Sequence, residues 1–128
     1  MMGTTSLVEI VSNKSTYAAN GITYINNQSS ATTPNSNYNP TSYAARAYKG
    51  STITIEYAEG FTTVVIVMDD YGYNAPGEYM LGFDGMTIEG ATITRDYDTL
   101  IIVFAEAVTS FTTPDLLSQV RIESISVA

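Results

Sequence analysis

Apolar and polar positions alternate along most of this chain, and only Asp115-Leu116-Leu117-Ser118 hints at a helical turn. Ile53, Ile55 and Tyr57 alternate with Thr52, Thr54 and Glu56, the period of two that sorts side chains onto the two faces of a strand. Residues 6–11 read as a first strand, 13–16 as a turn, and 22–25 as a strand launched by the turn dipeptide Asn20-Gly21. Regular alternation resumes at Tyr43 and pauses at Lys49-Gly50. Glu59-Gly60 is expected to close a hairpin between strands at 52–57 and 62–68. The run Val64-Val65-Ile66-Val67, apolar on both faces, predicts a central strand.

Short strands are expected at 78–83 and 86–89. Residues 91–95 should pair with 99–104 across Asp96-Tyr97-Asp98, and a further strand covers 109–113. The last strand, 120–127, changes phase. A β-bulge near Glu123-Ser124 would put Val120, Ile122, Ile125 and Val127 on one buried face. Some nine or ten short strands between frequent turns predict an all-β fold. The expected architecture is an antiparallel β-sandwich, jelly-roll-like on strand count, with an immunoglobulin-like sandwich as the alternative. The length suits a single domain, 1–128, interrupted by a loop or arm at 26–42 that has no charge, two prolines and no periodicity.

Composition then narrows the chemistry. Five Lys and Arg against thirteen Asp and Glu give a net charge of −8, which repels a phosphate backbone and argues against nucleic acid as a partner. No apolar run reaches the ~18 residues of a membrane span, so membrane insertion is not expected. Met1-Met2-Gly3-Thr4-Thr5-Ser6 lacks the basic start and apolar stretch of a secretory signal. Cysteine and histidine are both absent, which removes thiol nucleophiles, Ser-His-Asp triads and ordinary zinc sites. Ser–Lys chemistry is left to Lys14 and Lys49, both in polar, turn-like contexts that would not desolvate an amine. The chain is therefore expected not to be an enzyme.

Residues 45–55, Ala-Arg-Ala-Tyr-Lys-Gly-Ser-Thr-Ile-Thr-Ile, and 119–127, Gln-Val-Arg-Ile-Glu-Ser-Ile-Ser-Val, together resemble a β-sandwich accessory domain of gut-bacterial surface proteins. In that family an Arg-x-Tyr-Lys-Gly-Ser strand opens the regular part, and a Gln-x-Arg-Ile-x-x-Ile-x-Val strand ends the domain. The resemblance implies a sandwich fold and a non-catalytic module presented outside the cell.

Tyrosine is over-used, at ten residues. Tyr71, Tyr73 and Tyr79 fall beside Asp70 and Asn74, a mixture of rings and short polar groups suited to gripping a glycan, although tyrosine also caps sheet edges. Asp69, Asp70 and Asp84 carry oxygen ligands that a structural calcium ion would accept, yet no EF-hand spacing is present. That calcium is the one cofactor left open; otherwise none is expected. Glu56, Glu78, Glu106, Asp96 and Asp98 read as solvent-facing acids rather than a glycosidase pair. Gly82-Phe83-Asp84-Gly85 lacks the Gly-Lys-Ser/Thr of a phosphate loop. Arg46, a charge in a small apolar strand, is expected to brace the sheets.

A neutral segment such as 26–42 cannot order itself against about 1–2 kcal/mol of backbone entropy per residue. It is therefore expected to pack on a protein partner, self or capsid subunits, with Tyr38 and Tyr43 as anchors and Val8 and Ile10 beside them. The leading expectation is a structural or interaction module on a virion surface, a bacteriophage capsid decoration or auxiliary protein. The alternative is a carbohydrate-binding accessory module of a bacterial surface protein.

Overall fold

The computed structural model describes residues 16–27, 45–68 and 80–128. They form an all-β, sandwich-like fold of antiparallel strands, with no α-helix among the described residues. The described strands are β1 (Thr16–Ala19), β2 (Ile22–Asn27), β3 (Ala45–Ala47), β4 (Thr52–Met68), β5 (Ala91–Asp96), β6 (Thr99–Thr112) and β7 (Val120–Val127). One path of pairing runs β1-β2-β4-β6-β5, and β7 lies between β4 and β3.

Two turns behave as their sequences require. Asn20 and Gly21 both take positive φ, 54° and 83°, the conformation of the tight two-residue loop that joins β1 to β2. Tyr97-Asp98 joins β5 to β6, so that Asp96 faces Thr99 and Ala91 faces Phe104. β2 runs on through Asn26 and Asn27, so the uncharged stretch expected from residue 26 begins with two strand residues.

The expected hairpin at Glu59-Gly60 does not form. β4 runs on through it as one strand of 17 residues, with Gly60 at a φ of 87°. Here the glycine bends a strand at a corner instead of reversing it, because β6 breaks its ladder at the same level. Pairing is regular from Thr54↔Thr112 to Glu56↔Ser110 and again from Thr63↔Val103 to Val67↔Thr99. Between these stretches, residues 57–62 and 104–109 keep a single shifted rung, Phe61↔Val108. The strand expected at 109–113 is accordingly the far half of β6.

The segment 80–90 is not the expected pair of short strands. It runs through successive turns: Asp84 N–H donates to Leu81 O, Met86 N–H to Phe83 O and Ala91 N–H to Ile88 O. Gly85 and Gly90 adopt φ of 86° and 77°, which breaks any extended run. Residues 115–118 form no helical turn: only Leu117 and Ser118 are bends.

The corner lets both halves of the sheet bury one face in a common core. Ile53 and Ile55 enter it from the first half of β4, and Val64, Ile66 and Met68 from the second. The parity of inward positions changes across the corner on both strands: Leu100, Ile102 and Phe104 are buried before it on β6, and Phe111 after it. Phe61 lies at the hinge, with its ring 6.1 Å from those of both Phe104 and Phe111. Burying a side chain of this size contributes roughly 1.5–3 kcal/mol.

The phase change of the last strand is absorbed as its sequence predicts. Val67 faces Ser124 and Met68 faces Ile122, which leaves Glu123 as the extra residue of a bulge. Val120, Ile122, Ile125 and Val127 are all buried. The pairing of β4 with β7 on one side and β6 on the other makes the Val64–Val67 run central.

Candidate functional site

The corner that bends β6 also opens a cleft of about 490 Å³ beside it. One wall is the turn at Ile88, Glu89 and Gly90; the other is β6 from Phe104 to Thr112. The turn is tied to β6 just before β5 begins, by a 2.9 Å bond from Ala105 N–H to Gly90 O. Beyond that point, no described strand pairs with β6 on the side away from β4.

Backbone geometry decides what this edge presents. Thr113 N–H donates to Ile53 O at 2.8 Å, and Ile53 N–H is accepted by the Thr113 hydroxyl at 3.0 Å. In an antiparallel ladder a residue's N–H and C=O share one side, and successive residues alternate sides. The Thr113 N–H and the main-chain groups of Phe111 are therefore turned toward β4, while Thr112 and Ser110 direct theirs away from it, toward the cleft. The floor is apolar: Phe104, Phe111 and Ile88 are 6%, 8% and 8% exposed. At so little exposure neither phenylalanine offers an open ring face. Glu89 and Glu106 are exposed on the rim, and the lining contains no Lys or Arg.

A smaller cleft of about 280 Å³ is lined by Phe83, Asp84, Gly85, Met86, Ile93 and Arg95. Asp84 is engaged there by Arg95, whose Nε donates to Oδ1 and Nη2 to Oδ2, each at 2.8 Å. The carboxylate holds the guanidinium pKa above its ordinary value. A cation at Asp84 would have to displace this fork. No group of three or more acidic residues that could hold a metal ion occurs among the described residues.

Most residues singled out in the sequence fall elsewhere. Asp69, Asp70, Tyr71, Tyr73, Asn74 and Tyr79 lie outside the described residues, as do Val8, Ile10, Tyr38 and Tyr43. Arg46 sits on β3 opposite Arg121. Of these two, Arg121 was not singled out, and its side chain is only 5% exposed. Glu56, Glu106 and Asp96 are exposed, and Asp98 accepts a hydrogen bond from the Thr99 hydroxyl. Glu106 thus belongs to the cleft rim. Its partners in the cleft, Phe104, Phe111 and Glu89, carry no motif that could have marked them.

Buried tyrosine is present at Tyr24, which is 1% exposed. Burial pushes its phenol pKa well above the ordinary value, an effect partly offset by the neighbouring Asn26 side chain.

Compared with known proteins, the chain matches no family model, no curated protein and no solved structure.

Proposed function

We propose that this chain is a non-catalytic interaction module that holds another protein, and that it serves on the outside of a bacteriophage particle as a decoration or auxiliary protein. The observation that carries the reading is the outer edge of β6, with main-chain groups directed into an apolar-floored cleft. Such an edge is a template for pairing with a second chain. The acidic composition supports it, because a net charge of −8 discourages copies from associating through bare edges.

Two measurements test the proposal. Capsid and portal genes are expected beside the gene for this chain. The purified protein is expected to co-sediment saturably with particles from the same source, and failure of both rejects the virion setting. A glycan array on the same protein tests the carbohydrate-binding alternative, for which specific, saturable binding is the required result.

A further inference from the structure

Resting on that reading, the geometry points to the occupant of the corner cleft: an extended partner segment that adds to β6 as a strand and alternates apolar with basic side chains. Three observations define it. First, Ser110 and Thr112 face Glu56 and Thr54 of β4 in the ladder, but as even-numbered residues they turn their N–H and C=O groups outward. A strand laid along them would find both groups at the two-residue spacing its own ladder requires.

Second, the floor discriminates between ligands. A sugar ring stacks on an open aromatic face, whereas Phe104 and Phe111 are only 6% and 8% exposed between the two halves of the sheet. Such a floor receives a single apolar side chain, which an added strand supplies at alternate positions.

Third, the rim selects charge. Glu89 and Glu106 are both exposed, with no cation in the lining. Lys or Arg on the incoming strand complements them, and a second copy of this acidic chain would bring like charge to the same place.

The experiment pans a random dodecapeptide display library on the purified full chain, with the Glu89→Lys/Glu106→Lys double variant as counter-selection. Peptides alternating apolar residues with Lys or Arg are expected to be enriched. Synthetic versions should shift the amide resonances of 88–90 and 105–112. Their binding should weaken tenfold or more on the double variant and on Ser110→Pro, which removes one outward N–H and leaves the β4 ladder whole. Circular dichroism checks that each variant folds. Should Ser110→Pro fail to fold, N-methylation of the peptide gives the same reading. Methylation at residues facing β6 should abolish binding, and methylation one residue along should spare it.

Enrichment that ignores the double variant overturns the proposal, as does indifference to N-methylation or loss of glycan rather than peptide binding on the double variant. If the double variant still co-sediments with particles as the native chain does, this assignment fails while the interaction-module reading stands. If the native chain binds no particle and its gene lies beside no capsid or portal genes, the virion setting falls, and peptide binding alone decides this assignment.

Discussion

Phe104 and Phe111 lie on one strand, β6, yet their ring centroids are 5.1 Å apart with planes tilted by 57°. In a straight strand a rise of about 3.3 Å per residue would separate them by roughly 23 Å, and their odd spacing would put them on opposite faces. Only the corner, matched on β4 around Phe61, brings them together. Truncating either ring, Phe104→Ala or Phe111→Ala, is expected to cost roughly 3–5 kcal/mol. The double variant should lose less than the sum, by roughly 0.5–1.5 kcal/mol, because each ring packs on the other. Urea unfolding of the three variants measures this. Strict additivity would show that the rings do not support one another.

Gly82 sits where the turn-rich segment meets the start of β7. A Cβ there would lie 2.5 Å from the Ser118 carbonyl oxygen and would also collide with the Val120 side chain. The Ser118 contact is backbone, so no rotamer relieves it. The same approach allows Leu117 N–H to donate to Gly82 O at 2.9 Å. Gly82→Ala is expected to destabilise the fold by about 1–3 kcal/mol, measured as a fall in the denaturant midpoint with an unchanged slope. A neutral substitution would mean that this segment does not close on β7.

The buried Tyr24 makes a pH prediction. Its folded pKa is raised above the unfolded value of about 10. The neutral phenol is the form the core holds, so its full contribution is present below about pH 10. Above that, the unfolded chain releases a proton that the folded chain retains, and stability falls as pH rises toward the folded pKa. Tyr24→Phe should change stability at neutral pH by no more than about 1.5 kcal/mol and flatten the decline above pH 10. Equal alkaline slopes in the two proteins would contradict a buried neutral phenol at this position.

Deleting Glu123 is expected to be tolerated. Ile122 already faces Met68 and Ser124 already faces Val67, so removing the residue between them restores an unbroken register. Inward placement of Val120, Ile122, Ile125 and Val127 is kept, and what is lost is the local bend. The shortened chain should fold, with a penalty of no more than about 3 kcal/mol in thermal unfolding. Failure to fold would show that the bend itself is required where β7 meets β3.

Local alternation was enough to establish that this chain is built of strands, that residues 64–67 lie centrally, that Asn20-Gly21 and Tyr97-Asp98 turn tightly, and that the last strand needs a bulge. Each is legible because each depends on backbone preference or on the two-residue period within a few positions of itself. The corner is a different kind of feature. Glu59-Gly60 announces a break in β4 but not its geometry, since the same glycine serves a reversal or a bend. The outcome depends on whether a distant strand breaks its ladder at the same level, and residues 104–109 of β6 do so without any glycine or proline to announce it. Arg121 illustrates the same limit: alternation assigns it to the outer face of β7, and whether that face is covered depends on how the chain folds over it. The cleft follows the corner. Glu106 read as one more solvent-facing acid because nothing near it in sequence reveals that it shares a rim with Glu89. Only the tertiary structure, by starting β5 at Ala91↔Phe104 while β6 runs on, decided that no described strand would pair with β6 there and which main-chain groups it would present.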